Sequence, residues 1–146
     1  MARAGADEND SMTKYLAAYA ATLVVMLILD LLWIGVIAKP LYQNGIGHLM
    51  AEQPRLPVAV AFYLLYAVGL MVFAVTQGAV PGGWVTAALY GALFGFFAYA
   101  TYDLTNLATL RDWPAGLAAI DIAWGTLVSA ICAAAGRLAL ERGSSA

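Results

Sequence analysis

Charged side chains are scarce in this chain. Asp, Glu, Lys and Arg make up 11% of its 146 residues, whereas average proteins carry roughly 25%. Because a soluble domain of this length needs more charge to cover its surface, the composition favours a membrane protein. The net charge of −2 and the lack of a basic stripe exclude a nucleic-acid-binding surface.

Cysteine and histidine are equally scarce. The one cysteine, Cys132, lies in an apolar run, so the chain can form no intramolecular disulfide. The one histidine, His48, is far from it in sequence, which is a poor basis for a zinc site. A nucleophile elbow, a phosphate loop and a metalloprotease motif are all missing. No enzyme class is therefore indicated, and we expect neither metal nor cofactor.

Long apolar segments dominate what is present. They cover residues 15–38, 56–77, 84–110 and 115–140, and each is near the ~20 residues needed to cross ~30 Å of hydrocarbon. Lipid has no water to satisfy a peptide group, so each segment must be helical. We therefore predict an all-α integral membrane fold, an antiparallel bundle of four transmembrane helices over residues 15–140.

The remaining segments are predicted to lie at the membrane surfaces. Residues 1–14 are expected to form a disordered tail and residues 141–146 a short C-terminal tail. The longest loop, residues 39–55, is predicted to hold a short interfacial helix over residues 46–53. Four spans return both termini to one side, here called side A. That side carries four Lys and Arg residues against three on the opposite side B, which favours cytoplasmic termini.

Three aspartates lie inside the predicted spans. Asp30 precedes the side-B end of the first segment by eight residues, and Asp121 lies seven residues into the fourth, so both are roughly 10–12 Å deep. Asp103 lies near the side-B end of the third. The three acids thus share one leaflet with no basic residue at their depth. Since they cannot all stay ionised there, they hold protons, bind a cation, or are neutralised by Lys39 or Arg111 from the loops.

Polar and aromatic groups share the faces of these acids. An i, i+4, i+7 spacing aligns Tyr99, Asp103 and Asn106 on the third helix. Each of the other two acids has a tryptophan three residues later, on the same face. Tyr63 and Tyr66 add hydroxyls in the same leaflet. The candidate ligand- or proton-binding residues are Asp30, Asp103, Asp121, Asn106, Tyr99, Tyr102, Trp33 and Trp124.

The half of the bundle toward side A lacks such groups. Gly91 and Gly95 form a small-x-x-x-small face there, and the fourth helix is rich in alanine. Such faces permit close helix contact. The pattern therefore predicts packing in this half, and it also suggests a dimer seam.

Several runs together resemble a known family. They are Phe96 to Leu110 (FFAYATYDLTNLATL), Trp113-Pro114, Asp121 to Gly125 (DIAWG), Leu29 to Gly35 (LDLLWIG), Lys39-Pro40 and Gly47 to Leu49. The family is that of small bacterial predicted membrane proteins termed domain of unknown function twenty-one seventy-seven. The resemblance covers about residues 13–140. It implies a four-helix protein of the bacterial inner membrane and no particular activity.

Several functions fit these features. The first is a carboxylate-lined cavity open to side B that binds a proton, a cation or a cationic small molecule and serves transport. Because four helices are few for a transport path, it implies a homodimer or a partner subunit within the bilayer. The second is an accessory protein that binds other helices through Gly91, Gly95 and the alanine face of the fourth helix. The third is an interfacial lipid-modifying enzyme using Asp103, Asp112 or His48. A purely structural role for the acids, bonded to hydroxyls and indoles, is the remaining interpretation.

Overall fold

The chain folds into helices of membrane length. The computed structural model describes residues 2–79 and 83–143. Its elements are α1 (Ala2–Leu32) with a π-helical turn (Trp33–Ile37), α2 (Lys39–Ile46) with a 3-10 turn (Gly47–Leu49), α3 (Leu56–Leu70) with a π-helical turn (Met71–Val75) and a 3-10 turn (Thr76–Ala79), α4 (Gly83–Thr109) and α5 (Ala115–Arg142).

Four of these stretches are long and apolar enough to cross a bilayer. They are Asn9–Ile37, Leu56–Val75, Gly83–Thr109 and Ala115–Arg142. Large apolar side chains point outward along them, and Leu31 is 69% exposed. Such an apolar outer surface is favourable in a bilayer, because contact with lipid tails removes it from water. The predicted all-α membrane bundle is therefore confirmed, and no strand occurs in the part of the chain described.

The N-terminal boundary differs from the prediction. Helix α1 begins at Ala2, so residues 2–14, predicted as a disordered tail, continue the first membrane helix. Ala, Arg and Glu are strong helix formers, and a helix that is already nucleated extends at little cost. At the other end, α5 reaches Arg142. Met1, residues 80–82 and residues 144–146 lie outside the described residues.

The interfacial helix also lies elsewhere than predicted. Helix α2 occupies Lys39–Ile46, immediately after the first span, and residues 50–55 are not helical. Pro40 does not interrupt this helix because it lies in the first turn, where no backbone N–H is needed. Ile46 packs against Trp113 and Leu117, at the beginning of α5. This contact holds α2 across the side-B end of the bundle.

Helices α4 and α5 approach each other closely because α4 has two glycines at the contact. A Cβ atom on Gly91 would overlap the Ser129 carbonyl and the Ala133 side chain. One on Gly95 would overlap the Gly125 carbonyl and Ser129. This is the close packing that the small-residue pattern predicts. The suggested dimer seam on this face is wrong, because α5 of the same chain covers it.

The side-A half has its polar groups satisfied internally. The buried Thr22 hydroxyl donates to the Ala18 carbonyl at 2.9 Å. Where this half meets the side-B half, the Tyr66 and Ser129 hydroxyls share a hydrogen bond of 2.8 Å between α3 and α5. Apolar side chains fill the rest, among them Met26, Leu70, Val75 and Val128. This half therefore forms a well-packed core whose buried hydroxyl groups are hydrogen-bonded within the protein.

Replacing Gly95 by alanine tests the α4–α5 contact. The added Cβ meets backbone, which cannot rotate away, so Gly95→Ala should lower the free energy of unfolding by about 1–3 kcal/mol. Gly116→Ala is the matched control, since nothing lies within 4 Å of its Cβ position. The measurement is unfolding in detergent followed by circular dichroism. Equal effects of the two substitutions would contradict the packing described here.

Candidate functional site

A cavity of about 820 Å³ lies in the side-B half, and all five helices contribute to its wall. The wall contains two carboxylates, five tyrosines and two tryptophans. Its polar and aromatic members are Asp30, Trp33, Lys39, Tyr42, Gln43, Phe62, Tyr63, Tyr66, Tyr99, Tyr102, Asp121 and Trp124. Six of the eight predicted site residues are in this list, and Asp103 and Asn106 are not.

Asp30 is held by a residue almost a hundred positions away. It is 3% exposed near the end of α1, and the Trp124 indole Nε1–H donates to its Oδ1 at 3.2 Å. The Tyr63 hydroxyl also faces this carboxylate from α3. An acid at this depth needs such donors, because no water is available to solvate it.

The two Asp-x-x-Trp motifs pack against each other. Helices α1 and α5 run in opposite directions, so each tryptophan lies level with the aspartate of the other helix. The Trp33 and Trp124 rings stack, with centroids 4.3 Å apart and planes inclined by 5°. Only Trp124 bonds to an aspartate, however. The Trp33 Nε1–H has no hydrogen-bond partner among the described residues.

Asp121 takes its donor from α2 instead. It is 6% exposed, and the Tyr42 hydroxyl donates to its Oδ1. Burial, together with the neighbouring Asp121, raises the pKa of Tyr42 above its ordinary value, so the phenol keeps its proton. Sequence reasoning missed Tyr42. The signal was present, because Lys39, Tyr42 and Ile46 recur at helical spacing within the loop.

Asp103 is separated from the cavity. Its side chain is fully buried, and neither carboxylate oxygen has a hydrogen-bond partner in residues 2–79 and 83–143. The Trp113 indole and Asp121 are its polar neighbours, but the Trp113 Nε1–H makes no hydrogen bond of good geometry either. The predicted group of three acids therefore divides into two that line the cavity and one behind the wall.

The other predicted groups occupy different positions. Tyr99 packs its ring on Gly125 of α5 and edge-on to Tyr66. Tyr102 is half exposed, and its ring meets Trp113 edge-on at 5.7 Å. Asn106 lies beside Tyr102, outside the cavity.

One of the two loop cations reaches the site. Lys39 lines the cavity, whereas Arg111 does not. His48 and Asp112 are exposed and are not part of the wall. The acids are therefore not individually neutralised, since neither Asp30 nor Asp121 forms an ion pair within the described part of the chain.

The backbone of α1 widens at the cavity. Trp33, Ile34 and Gly35, which line it, belong to the π-helical turn Trp33–Ile37. Such turns insert an extra residue into a helix and are common at functional sites. Here the turn presents the Trp33 ring to α5.

The fold and site together define an integral membrane protein with a polar, aromatic cavity in one half of a four-helix bundle. The chain belongs to the predicted membrane protein family DUF2177, whose family model matches residues 15–138. That match confirms the family resemblance seen in the sequence. No curated protein and no solved structure matches the chain.

A pair of conservative substitutions tests the indole–carboxylate bond. Trp124→Phe keeps an aromatic ring for the stack but removes the donor to Asp30, so it should lower the free energy of unfolding by about 1–3 kcal/mol. Trp33→Phe is the matched control, because its N–H makes no hydrogen bond of good geometry with any described residue. Chemical unfolding in detergent distinguishes them. A cost for Trp33→Phe as large as for Trp124→Phe would contradict the assignment.

Asparagine at position 103 tests the isolated acid. An unpaired buried carboxylate destabilises the folded state, and the amide has the same shape without charge. Asp103→Asn should therefore leave the free energy of unfolding unchanged or raise it by about 1 kcal/mol. Asp112→Asn, at an exposed turn, is the control and should change it by less than about 0.5 kcal/mol. A clear loss of stability for Asp103→Asn alone would show that the carboxylate has a partner that the fold requires.

Proposed function

We propose that the protein binds an organic cation in the cavity, between Asp30 and Asp121 and against the surrounding aromatic rings. The observation that carries this proposal is the pair of buried carboxylates, whose bonded donors, Trp124 and Tyr42, are both neutral. Two acids with one lysine in the wall leave negative charge that a bound cation would balance.

The size of the cavity favours an organic cation over a proton or a bare metal ion. A water molecule occupies about 30 Å³ of the liquid, so 820 Å³ is far more than a metal ion with a few waters needs. Cavities of about 300–1,000 Å³ are typical of small-molecule sites. In addition, the described residues hold no group of three or more His, Cys, Asp or Glu side chains arranged for a metal.

The aromatic wall favours the same class of ligand. Ammonium groups bind the faces of tryptophan and tyrosine rings, and cages of such rings recognise alkylated amines. Five tyrosines and the stacked Trp33–Trp124 pair surround the two acids. Ring faces and carboxylates together supply both the apolar contact and the charge that an alkylammonium ion requires.

A role in transport extends this proposal. The cavity lies on side B. We propose that side A, with both termini, faces the cytoplasm, which the excess of one Lys or Arg residue on that side favours. We further propose that the protein resides in the bacterial inner membrane. Because four helices offer little room for a complete path, a second copy or a partner subunit would complete it.

The two rival functions receive less support. The accessory hypothesis relies on Gly91, Gly95 and the alanine face of α5. The two glycines are already covered, because they pack against Ser129 and Ala133 of α5. The lipid-modifying hypothesis relies on Asp103, Asp112 and His48, and none of these lines the cavity. A purely structural role for Asp30 and Asp121 is the interpretation that experiment must separate from binding.

Titration with tetramethylammonium tests cation binding. The ion should change the tryptophan emission of the purified protein, since Trp33 and Trp124 line the cavity. Asp30→Asn and Asp121→Asn should each raise the Kd roughly tenfold or more, because each removes a charge that contacts the ion. Asp112→Asn, an exposed acid outside the cavity, should leave the Kd unchanged.

Circular dichroism separates binding from folding in this series. Normal helical content with weakened binding supports the site. If both cavity variants keep the wild-type Kd, or if no cation alters the emission of the wild-type protein, the proposed function is wrong.

A further inference from the structure

We infer that the cation recognised by this cavity is the primary ammonium of a zwitterionic phospholipid headgroup, with the lipid phosphate at Lys39. The inference rests on the proposed function, since it names the ligand class of the same cavity. Three features of the wall carry it: the order of charges from mouth to interior, the unbonded acceptor oxygen of Asp121, and the exposure of the wall to lipid.

The charges in the wall are ordered by depth. Lys39 is the first residue of α2, just beyond the membrane span that ends at Ile37. Its side chain is exposed and forms no ion pair within the described ranges. Asp121 and Asp30 lie deeper and are buried. A ligand that enters from side B therefore meets a positive group first and negative groups further in.

Helix α2 connects the positive and negative groups of the wall. Lys39 and Tyr42 are three residues apart on one face of α2. Tyr42 is bonded to Asp121, so the same helix supplies a positive side chain to the wall and holds one of its carboxylates. Gln43, also in the wall, adds an amide donor for a phosphate oxygen.

The hydrogen-bond acceptors in the wall favour a primary amine over a quaternary one. Tyr42 occupies Oδ1 of Asp121, and no hydrogen bond from the described residues reaches Oδ2. That oxygen can accept an N–H from a primary ammonium, whereas a quaternary ammonium has no N–H to give. A primary amine therefore satisfies the site better than a choline group.

The cavity is also accessible from the bilayer. Ile34 and Phe62 are part of its wall, yet they are 52% and 43% exposed on the outer surface of two membrane spans. Acyl chains are the neighbours of such side chains. A lipid can thus place its headgroup in the cavity while its acyl chains remain along α1 and α3. A soluble amine has no acyl chains and would not make these contacts.

Substitution of Lys39 provides a test in which the affinities of two ligands should change in opposite directions. Lys39→Gln removes a positive charge from the wall. Binding of short-chain phosphatidylethanolamine should weaken roughly fivefold because the phosphate loses its partner. Binding of tetramethylammonium should become tighter, because the repulsion between like charges is gone. Arg55→Gln, an exposed side-B charge outside the cavity, should change neither Kd.

The experiment uses the full chain in detergent, with tryptophan emission as the signal. Dihexanoyl phosphatidylethanolamine, dihexanoyl phosphatidylglycerol and soluble phosphoethanolamine are compared. We expect the first to bind, the second not to compete because it has no amine, and the third to bind more weakly because it has no acyl chains.

Different outcomes would overturn the lipid-headgroup inference and the proposed cation-binding function. Equal binding of phosphatidylglycerol, equal binding of soluble phosphoethanolamine, or identical effects of Lys39→Gln and Arg55→Gln would overturn the lipid-headgroup inference alone. Tetramethylammonium binding that depends on Asp30 and Asp121 would still support the proposed function. If neither the lipid nor tetramethylammonium binds, both fail.

Discussion

The structure depends on how carboxylates buried inside a bilayer protein obtain hydrogen-bond donors where no water is available. Asp30 and Asp121 are almost fully buried at a depth where each needs donors from the protein itself. One receives an indole N–H from α5 and the other a phenol O–H from α2. These two bonds connect α1 to α5 and α5 to the interfacial helix, so the same interactions that satisfy the acids also determine the shape of the cavity.

The two halves of the bundle differ in how tightly they pack. Toward side A, glycines bring α4 against α5. Where the two halves meet, the hydroxyls of Tyr66 and Ser129 bond to each other. Toward side B, the π-helical turn after α1 and helix α2 line the cavity together with α3, α4 and α5. With one half tightly packed and the other open, the proposed ligand would enter without separating the whole bundle.

Much of this arrangement could be predicted from the sequence. Long apolar runs determine the number of spans. Counting residues from the side-B ends predicts that Asp30 and Asp121 lie in the same half of the bundle, and both line one cavity. Side-chain direction was harder to predict. Asp103 lies in the same half of the bundle but behind the cavity wall. Helical periodicity gives the face on which it lies without saying which neighbour covers that face.

Tyr42 was missed because its loop contains glycines and a proline. The tertiary contact of Ile46 with Trp113 and Leu117 holds that helix in place. Gly91 and Gly95 could not reveal whether their partner was α5 or a second chain.

The central claim is that Asp30, Asp121 and the stacked indoles form one site for a cation. The indole N–H resonances of the ¹⁵N-labelled protein test it most directly, because each of the four tryptophans reports its own surroundings. Addition of an alkylammonium ion should shift the signals of Trp124 and Trp33 and leave that of Trp84, on side A, in place. A shift of Trp84 as large as theirs, or no shift of Trp124 at saturating ion, would contradict the account.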